Sequence, residues 1–185
     1  MSIAFVFPGQ GSQAVGMGKA LAERFPVARA VFDRVDAALG EPLSRLMFEG
    51  PEGDLTRTAN AQPALMAVSL AAMRVIEAET DLRIGGAAFV AGHSLGEYSA
   101  LAAAGAFEIE TAAKLLRLRG EAMQAAVPAG AGAMAALIGV EEEQARAIAA
   151  DAAEGEVCDV ANDNGGGQVV VSGSAAAVER AVALA

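Results

Sequence analysis

The sequence predicts an α/β fold, with buried strands, apolar helices and a smaller second unit toward the C-terminal end. A short apolar run at residues 87–91 is followed directly by Gly-His-Ser-Leu-Gly at 92–96 and then by a helix-forming segment. Strand, Gly-x-Ser-x-Gly and helix is the arrangement of a nucleophile elbow. A Pro/Gly-rich hinge at 128–132 precedes a β-α-β-β-α pattern. That order lacks only the final strand of a ferredoxin-like unit.

The composition fits a globular protein with one sizeable core and room for a small second lobe. The chain has 185 residues, of which 54% are hydrophobic. The apolar stretch at 62–75 is too short to cross a bilayer and is interrupted by Ser69, so no membrane association is expected. No basic residue precedes the first apolar run, and we therefore expect no secretory signal.

The net charge limits the expected partners, and the cysteine content fits a cytoplasmic protein. The net charge of −10 argues against a general nucleic-acid binder, and an anionic substrate would need a local basic pocket. Cys158 is the single cysteine, which excludes an internal disulfide and fits a reducing compartment. We interpret it as a small core residue, because no histidine or basic cluster lies beside it in the sequence. One histidine and one cysteine cannot supply the usual ligands of a metal site, so none is expected.

The first strand and its loop are expected to bring Gln10 to the mouth of a site. Residues 3–7 are apolar and run into Pro-Gly, as a buried strand entering a loop does. Gly9-x-Gly11-x-x-Ala14 fits the dinucleotide fingerprint, which also requires a second strand ending in an acidic residue about twenty positions later. Residues 26–39 show helical spacing instead. The dinucleotide interpretation therefore fails.

The segments before the elbow are predicted to be mainly helical. Pro26 suits the first turn of the helix at 26–39, and Gly40 is a suitable stop. Residues 43–48 are compatible with a further short helix. Residues 62–77 are apolar on nearly every side, which indicates a helix buried in the core.

The glycines of the elbow allow a turn too tight for Cβ atoms, and this turn lifts the Ser94 hydroxyl clear of the sheet. The helix that opens behind Ser94 offers unpaired N–H groups and a positive dipole end to an oxyanion. An ordinary strand-to-helix turn is the alternative, because a five-residue pattern also arises by chance.

Residues 108–126 form the most informative predicted helix after the elbow. One arc carries Arg119 near its middle, among Ala112, Leu115, Leu116, Ala122 and Met123. A guanidinium there is costly unless it is paired. The pattern leaves three arrangements open: an internal salt bridge, a stem that reaches the surface, and a fork for a ligand carboxylate. Arg117 points to the opposite side, where we expect it to be solvated.

We place a domain boundary at the hinge, with a large subdomain at 1–127 and a small, incomplete one at 128–185. The small subdomain is predicted to contain strands at 133–140, 157–162 and 168–173 and helices at 141–153 and from 174 onward. Ser174 can cap the last helix. The glycines at 165–167 lie between two strands and predict a hairpin turn, not a phosphate loop.

The serine chemistry visible in the sequence is incomplete. A serine nucleophile needs a base and donors for an oxyanion, and the donors are available from the N–H of Leu95 and the loop at Gln10. His93 is the only histidine. As the immediate neighbour of Ser94 it points in a different direction, so we interpret it as lining or bracing the pocket. The chain thus offers a nucleophile and oxyanion donors, but no well-placed base, which is half of a catalytic apparatus.

Three motifs together resemble the malonyl-CoA:acyl carrier protein transacylases, which belong to the acyltransferase family of fatty acid and polyketide synthesis. They are Phe-Val-Phe-Pro-Gly-Gln-Gly-Ser-Gln at 5–13, Gly-His-Ser-Leu-Gly-Glu-Tyr at 92–98 and Leu-Arg-Gly at 118–120, in this order and spacing. The resemblance runs over the whole chain from residue 3. It implies an α/β-hydrolase-like large subdomain with an inserted ferredoxin-like small subdomain, here truncated.

The resemblance implies transfer of a malonyl group in ping-pong fashion, which supplies fatty acid synthesis. Ser94 would be acylated by malonyl-CoA and would pass the malonyl group to the phosphopantetheine thiol of acyl carrier protein. The backbone N–H groups of Gln10 and Leu95 would form the oxyanion hole, and Arg119 would hold the malonyl carboxylate. Asn162 would line the entrance near the thioester and CoA. No resident cofactor is implied, because malonyl-CoA is a substrate and phosphopantetheine arrives on the partner.

One departure from the family is large. In the family, the catalytic histidine and a supporting glutamine follow the small subdomain, beyond Ala185. We therefore expect this chain to be an N-terminal portion that is inactive alone. We expect the full-length protein to be a monomer. A local basic patch should dock the acidic carrier protein, with Lys114 and Arg117 as candidates. The alternatives are a serine hydrolase or thioesterase on the same elbow, a polyketide-type acyltransferase, and a non-catalytic module that binds acyl-CoA or the carrier protein.

Overall fold

A computed structural model describes residues 2–128 and 130–185. Met1 and Ala129, the latter in the predicted hinge, lie outside the described residues. The chain is a mixed α/β protein and divides into two compact units after Gln124. Across the described residues, no helix is both long enough and apolar enough to cross a membrane.

The first unit consists mainly of helices that flank a parallel strand pair. Its elements are β1 (Ala4–Phe7), α1 (Lys19–Arg24), α2 (Pro26–Leu39), α3 (Leu43–Glu49), α4 (Glu52–Thr56), α5 (Thr58–Glu79), a 3₁₀ turn (Ile84–Gly86), β2 (Phe89–Gly92), α6 (Leu95–Ala103) and all but the last two residues of α7 (Ile109–Ala126). Strands β1 and β2 pair in parallel, with Phe7 opposite Gly92. The loop after β1 and the elbow after β2 therefore leave the strand pair side by side.

Most of the predicted helices are confirmed. Helix α2 has Pro26 as its first residue and ends at Gly40, whose φ of 69° suits glycine. Helix α5 begins a turn earlier than predicted, because the Arg57 carbonyl accepts hydrogen bonds from the N–H groups of Asn60 and Ala61. The short helices α1 and α4 are additional to the prediction.

Helix α5 lies in the core of the first unit and packs against α2 and α6. Its middle is buried on nearly every side, as its apolar composition predicts. The largest fully buried apolar side chains of this unit are Phe32, Leu43, Met47, Leu55, Met66, Leu95 and Leu116. Since Leu95 is the first residue of α6, the elbow is anchored directly in the core.

The apolar arc predicted for α7 is only partly buried. Ala112 and Leu116 are buried, whereas Ala122 and Met123 are exposed. The main apolar core includes α7 residues only as far as Leu116, so the last turns of the helix extend past it.

The second unit has the predicted β-α-β-β-α order. Its elements are β3 (Gly132–Ile138), α8 (Glu142–Ala153), β4 (Cys158–Asp163), β5 (Gln168–Ser174) and α9 (Ala175–Leu184). The strands are antiparallel in the order β3-β5-β4, and Leu137, Val169 and Val171 pack against the helices in a separate core. The glycines at 165–167 form the β4–β5 turn with positive φ angles, which confirms the predicted hairpin.

Two residues of the second unit refine the sequence analysis. Ser174 lies at the N-cap of α9, but its hydroxyl donates to the carboxylate of Glu156 (2.7 Å) and makes no cap hydrogen bond. The predicted side-chain cap is therefore wrong, because a nearby acceptor captures the hydroxyl. Cys158 is partly buried against the core of this unit, and burial raises the pKa of its thiol.

Candidate active site

The backbone at Ser94 has the strand–turn–helix geometry expected of a nucleophile elbow. Strand β2 ends at Gly92, helix α6 begins at Leu95, and Ser94 between them has φ 55° and ψ −115°. A positive φ at a residue other than glycine costs about 1–3 kcal/mol and persists only where the surroundings enforce it. The elbow is thus a strained turn that the fold holds in place.

Close backbone packing explains the elbow glycines. A Cβ atom built on Gly92 would lie 2.0 Å from the carbonyl group of Gly96, and one on Gly96 would lie 2.3 Å from the carbonyl oxygen of Phe7. No side chain fits at either position without moving backbone. The glycines therefore let the elbow close on itself and on the loop after β1.

His93 lies against the loop that carries Gln10. The backbone N–H of His93 donates to the carbonyl of Phe7 (3.1 Å). A Cβ atom built on Gly9 would lie 2.7 Å from Nδ1 of the His93 ring. The imidazole thus occupies the space beside Gly9. Whether His93 lines or braces the pocket stays a prediction, and the structure places its ring beside the Gln10 loop.

Two backbone donors are available near the elbow. Within the part of the chain that the structure describes, the N–H groups of Gln10 and Leu95 donate to no protein acceptor. The next N–H of the loop, that of Gly11, donates instead to Oε1 of Gln13 (2.9 Å). The side-chain amide of Gln10 lies 3.4 Å from the Thr58 hydroxyl at the start of α5. The loop is thereby attached to both the elbow and α5.

Arg119 reaches the elbow from α7. Its Nη2 donates to Oγ of Ser94 (3.0 Å), its Nη1 donates to Oε1 of Gln62 (2.6 Å), and its guanidinium lies 5.9 Å from the centre of the Tyr98 ring. No carboxylate among residues 2–128 and 130–185 forms an ion pair with it. The internal salt bridge considered for Arg119 is therefore excluded within the described chain.

The Arg119 guanidinium is a partly buried cation without a counter-charge. It has five N–H donors, of which those to Gln62 and Ser94 are engaged in hydrogen bonds. In a chain with a net charge of −10, Arg119 thus carries a positive charge that no described carboxylate pairs with. Free donors and uncompensated charge beside a serine hydroxyl suit an anionic group, a carboxylate in particular.

Gln62 is a site residue that the sequence analysis missed. Its side chain is fully buried (0% exposed), with Oε1 toward Arg119 and Nε2 donating to Sδ of Met123 (3.3 Å). The available signal was a glutamine at the start of an otherwise apolar helix, since a buried amide needs polar partners.

Arg117 is not solvated, and that prediction is wrong. Its side chain is only 17% exposed, and it donates hydrogen bonds to the Glu41 carboxylate and to Oδ1 of Asn60. The first turn of α5 covers the α7 face that a helical projection leaves to solvent. A Cβ atom on Gly120 would lie 2.5 Å from Cα of Ala59, which shows how closely the two helices approach.

Asn162 belongs to the second unit. It lies on β4 at an irregularity in the pairing with β5, and its side-chain amide donates to Oδ1 of Asn164 (3.3 Å). The other predicted site residues, Gln10, His93, Ser94, Leu95 and Arg119, belong to the first unit and form one connected cluster.

Comparison with known proteins gives one family over nearly the whole chain. The model of the acyl transferase domain matches residues 4–185. The malonyl CoA-acyl carrier protein transacylase of Bacillus subtilis (strain 168) is 49% identical over 184 residues, which are 99% of this chain and 57% of the relative. The chain thus spans less than two thirds of the length of the curated relatives that it matches.

Solved structures agree with the computed one. An acyl-carrier-protein-S-malonyltransferase from Bartonella henselae is 59% identical, with a TM-score of 0.94 over 100% of this chain and 59% of its own. A malonyl-transacylase solved with its type II PKS acyl-carrier protein is 44% identical, with a TM-score of 0.90 over 98% of this chain and 58% of its own. These likenesses bear out the family resemblance of the three sequence motifs. The chain belongs to the acyl transferase domain family.

Proposed function

We propose that Ser94 forms an acyl-enzyme with malonyl-CoA, and that the whole protein passes the malonyl group to the phosphopantetheine thiol of an acyl carrier protein. The observation that carries this proposal is the uncompensated Arg119 guanidinium 3.0 Å from the Ser94 hydroxyl. A malonyl thioester carries a carboxylate close to its reactive carbonyl. Its carbonyl therefore suits the serine nucleophile, and its carboxylate suits the cation that lies beside that serine.

In the first half-reaction, Oγ of Ser94 attacks the thioester carbonyl and gives its proton to a base. The carbonyl oxygen becomes an oxyanion, and the free N–H groups of Gln10 and Leu95 are its proposed donors. Collapse of this intermediate breaks the carbon–sulfur bond, and CoA leaves as a thiol after taking up the proton. The carrier thiol then attacks the serine ester by the same steps in reverse and regenerates the Ser94 hydroxyl.

Arg119 is proposed to bind the malonyl carboxylate through its free N–H donors. Two parallel N–H···O bonds fix the acyl group in position as well as attracting it. The bond from Arg119 to Ser94 directs the same guanidinium toward the nucleophile. The carboxylate anchor and the reactive carbonyl are thereby held on one side of the elbow.

The general base is proposed to come from outside these 185 residues. His93 is the only histidine, and its ring lies against Gly9. The curated relatives are longer than this chain, which leaves room in such proteins for a base. We therefore expect residues 1–185 alone to transfer acyl groups poorly, since loss of a triad member costs several orders of magnitude in rate.

Several features of the whole protein belong to the same proposal. The first unit would be part of an α/β-hydrolase-like large subdomain, and the second an incomplete ferredoxin-like small subdomain in which Asn162 lines the entrance to the site. An acyl carrier protein partner is supported by the similar transacylase that was solved with its carrier protein. A cytoplasmic location, a monomeric state, a role in fatty acid synthesis and the absence of a resident cofactor remain predictions.

The test is to incubate residues 1–185 with radiolabelled malonyl-CoA, using imidazole as an external base, and then to add a phosphopantetheinylated carrier protein. We expect label on Ser94 that moves to the carrier thiol, and none in the Ser94→Ala variant. Release of free malonate without carrier labelling would favour the hydrolase alternative. Equal labelling of the Ser94→Ala variant would refute the proposal.

A further inference from the structure

Gln62 is enclosed by the protein and makes hydrogen bonds at both ends of its amide. The side chain is 0% exposed, its carbonyl oxygen accepts from Nη1 of Arg119 (2.6 Å), and its amide nitrogen donates to Sδ of Met123 (3.3 Å). Because the nitrogen has its own acceptor, the amide cannot flip without losing both contacts. The oxygen is thereby held toward the guanidinium.

The backbones on both sides of this contact are fixed. Helices α5 and α7 meet so closely at Gly120 that a Cβ atom there would lie 2.7 Å from the Thr58 carbonyl oxygen. Oε1 of Gln124 accepts the N–H of Ala59 (2.8 Å), which fastens the start of α5 to α7 a second time. The distance from Gln62 to Arg119 is therefore set by helix packing and not by flexible loops.

A neutral acceptor at this position leaves the charge of Arg119 intact. A carboxylate in place of the Gln62 amide would form a buried ion pair and compete with any anionic ligand. An apolar side chain would leave Nη1 unpaired and the guanidinium free to turn. Glutamine, in contrast, provides a fixed neutral acceptor and leaves the cation uncompensated.

We propose that Gln62 is a positioning residue that sets the preference of the site for acyl groups with a terminal carboxylate. It acts through Arg119, by holding the guanidinium at Ser94 with its charge available. This inference rests on the proposed function and adds to it the residue that determines specificity. It predicts that Gln62 governs the choice between malonyl-CoA and acetyl-CoA more than the binding of CoA itself.

The experiment measures the affinities of residues 1–185 for malonyl-CoA and acetyl-CoA by calorimetry, which requires no catalytic base. Gln62→Glu supplies a charged acceptor of similar size, and Gln62→Leu replaces the amide with an apolar side chain that has no acceptor. Asn60→Leu is the matched control, because it removes the other α5 amide that accepts a hydrogen bond from an α7 arginine, and that arginine is Arg117 and not Arg119. Thermal unfolding of each variant reports whether it is folded.

We expect both Gln62 variants to lose roughly 10- to 100-fold in affinity for malonyl-CoA, the range for a hydrogen bond to a charged group, with little change for acetyl-CoA. The control should keep the wild-type ratio of the two affinities. A folded Gln62 variant that also keeps this ratio would overturn the inference and leave the proposed function standing. A wild-type protein that shows no preference for malonyl-CoA would overturn the proposed role of Arg119, and this inference with it.

Discussion

Two arginines of α7, separated by a single residue, meet very different surroundings. Each donates to a side-chain amide of α5, Arg117 to Asn60 and Arg119 to Gln62. Arg117 also pairs with the carboxylate of Glu41, whereas Arg119 donates to the hydroxyl of Ser94. The first guanidinium has its charge balanced inside the protein, and the second does not.

This difference separates a structural role from a binding role. Burial of a cation without a counter-charge lowers stability unless a ligand or solvent compensates it. The retained cation beside the strained serine is therefore the basis of the proposed anion-binding role of Arg119. A fully paired arginine such as Arg117 instead joins parts of the chain that are far apart in sequence.

The largest expected effect is that of Arg119→Ala. Without the guanidinium, the carboxylate of malonyl-CoA loses its charge-assisted hydrogen bonds, and affinity should fall by roughly 100-fold. Acetyl-CoA has no carboxylate to lose contact with, so its affinity should change little. Calorimetry with both thioesters checks this prediction. An equal loss of affinity for both would mean that Arg119 does not bind the carboxylate and has no binding role that distinguishes it from Arg117.

Gly120→Ala should disturb both arginines at once. The added methyl group would meet the backbone of Thr58 and Ala59, so α5 and α7 must separate. We expect a loss of about 1–3 kcal/mol in the free energy of unfolding, the usual cost of overpacking, together with a weaker preference for malonyl-CoA. Denaturant unfolding and calorimetry measure the two effects.

The control for this helix contact is Gly53→Ala. Gly53 is also helical, but a Cβ atom there would meet no atom within 4 Å. The free energy of unfolding of the Gly53→Ala variant should stay the same or rise slightly. If the two alanine variants lost equal stability, close packing at Gly120 would not be the cause.

Arg117→Ala should show the opposite pattern to Arg119→Ala. It breaks the contacts with Glu41 and Asn60, and we expect the free energy of unfolding to fall by about 1–2 kcal/mol. The ratio of malonyl-CoA to acetyl-CoA affinity should remain that of the wild type. A change in that ratio without loss of stability would show that Arg117 belongs to the binding site.

The smallest effect concerns a third arginine, which lies at the surface. The Arg34 guanidinium donates to Glu110 (2.6 Å) and lowers the pKa of that carboxyl below its ordinary value of 4.5. A lowered pKa means that the pair stabilises the fold above the unfolded pKa and that this stability is lost as pH falls through the folded pKa. Solvent screens the pair, so the contribution is less than about 1 kcal/mol.

Glu110→Gln tests this pH dependence. Unfolding curves at neutral pH and at about pH 3 should converge more closely in the variant than in the wild type, because the titrating partner is gone. An unchanged difference between the two conditions would mean that this pair contributes nothing measurable to acid sensitivity.

Local signals in the sequence were sufficient for much of the fold. The period of α2, its proline at the start and its glycine at the end are short-range features, and the elbow motif carries its own flanking strand and helix. The order of elements in the second unit follows from the same kind of pattern. These predictions succeeded because neighbouring residues determine them.

The partners of the two arginines could not be predicted in the same way. A helical projection placed Arg119 on an apolar face, but Gln62 lies on another helix far back in the sequence. The same projection left Arg117 to solvent, although Glu41 and Asn60 cover it. Helical periodicity in the sequence predicts one buried face. Whether a second face of the helix is also covered depends on how the other helices pack against it.

A competition between equal amounts of malonyl-CoA and acetyl-CoA for Ser94 tests directly whether Arg119 selects the malonyl group. The acyl group on the Ser94 peptide would be identified by mass spectrometry, with imidazole supplied as the base. We expect mainly the malonyl adduct in the wild type and in Arg117→Ala, and mainly the acetyl adduct in Arg119→Ala. An acetyl adduct that predominates in the wild type, or an adduct on a residue other than Ser94, would contradict this prediction.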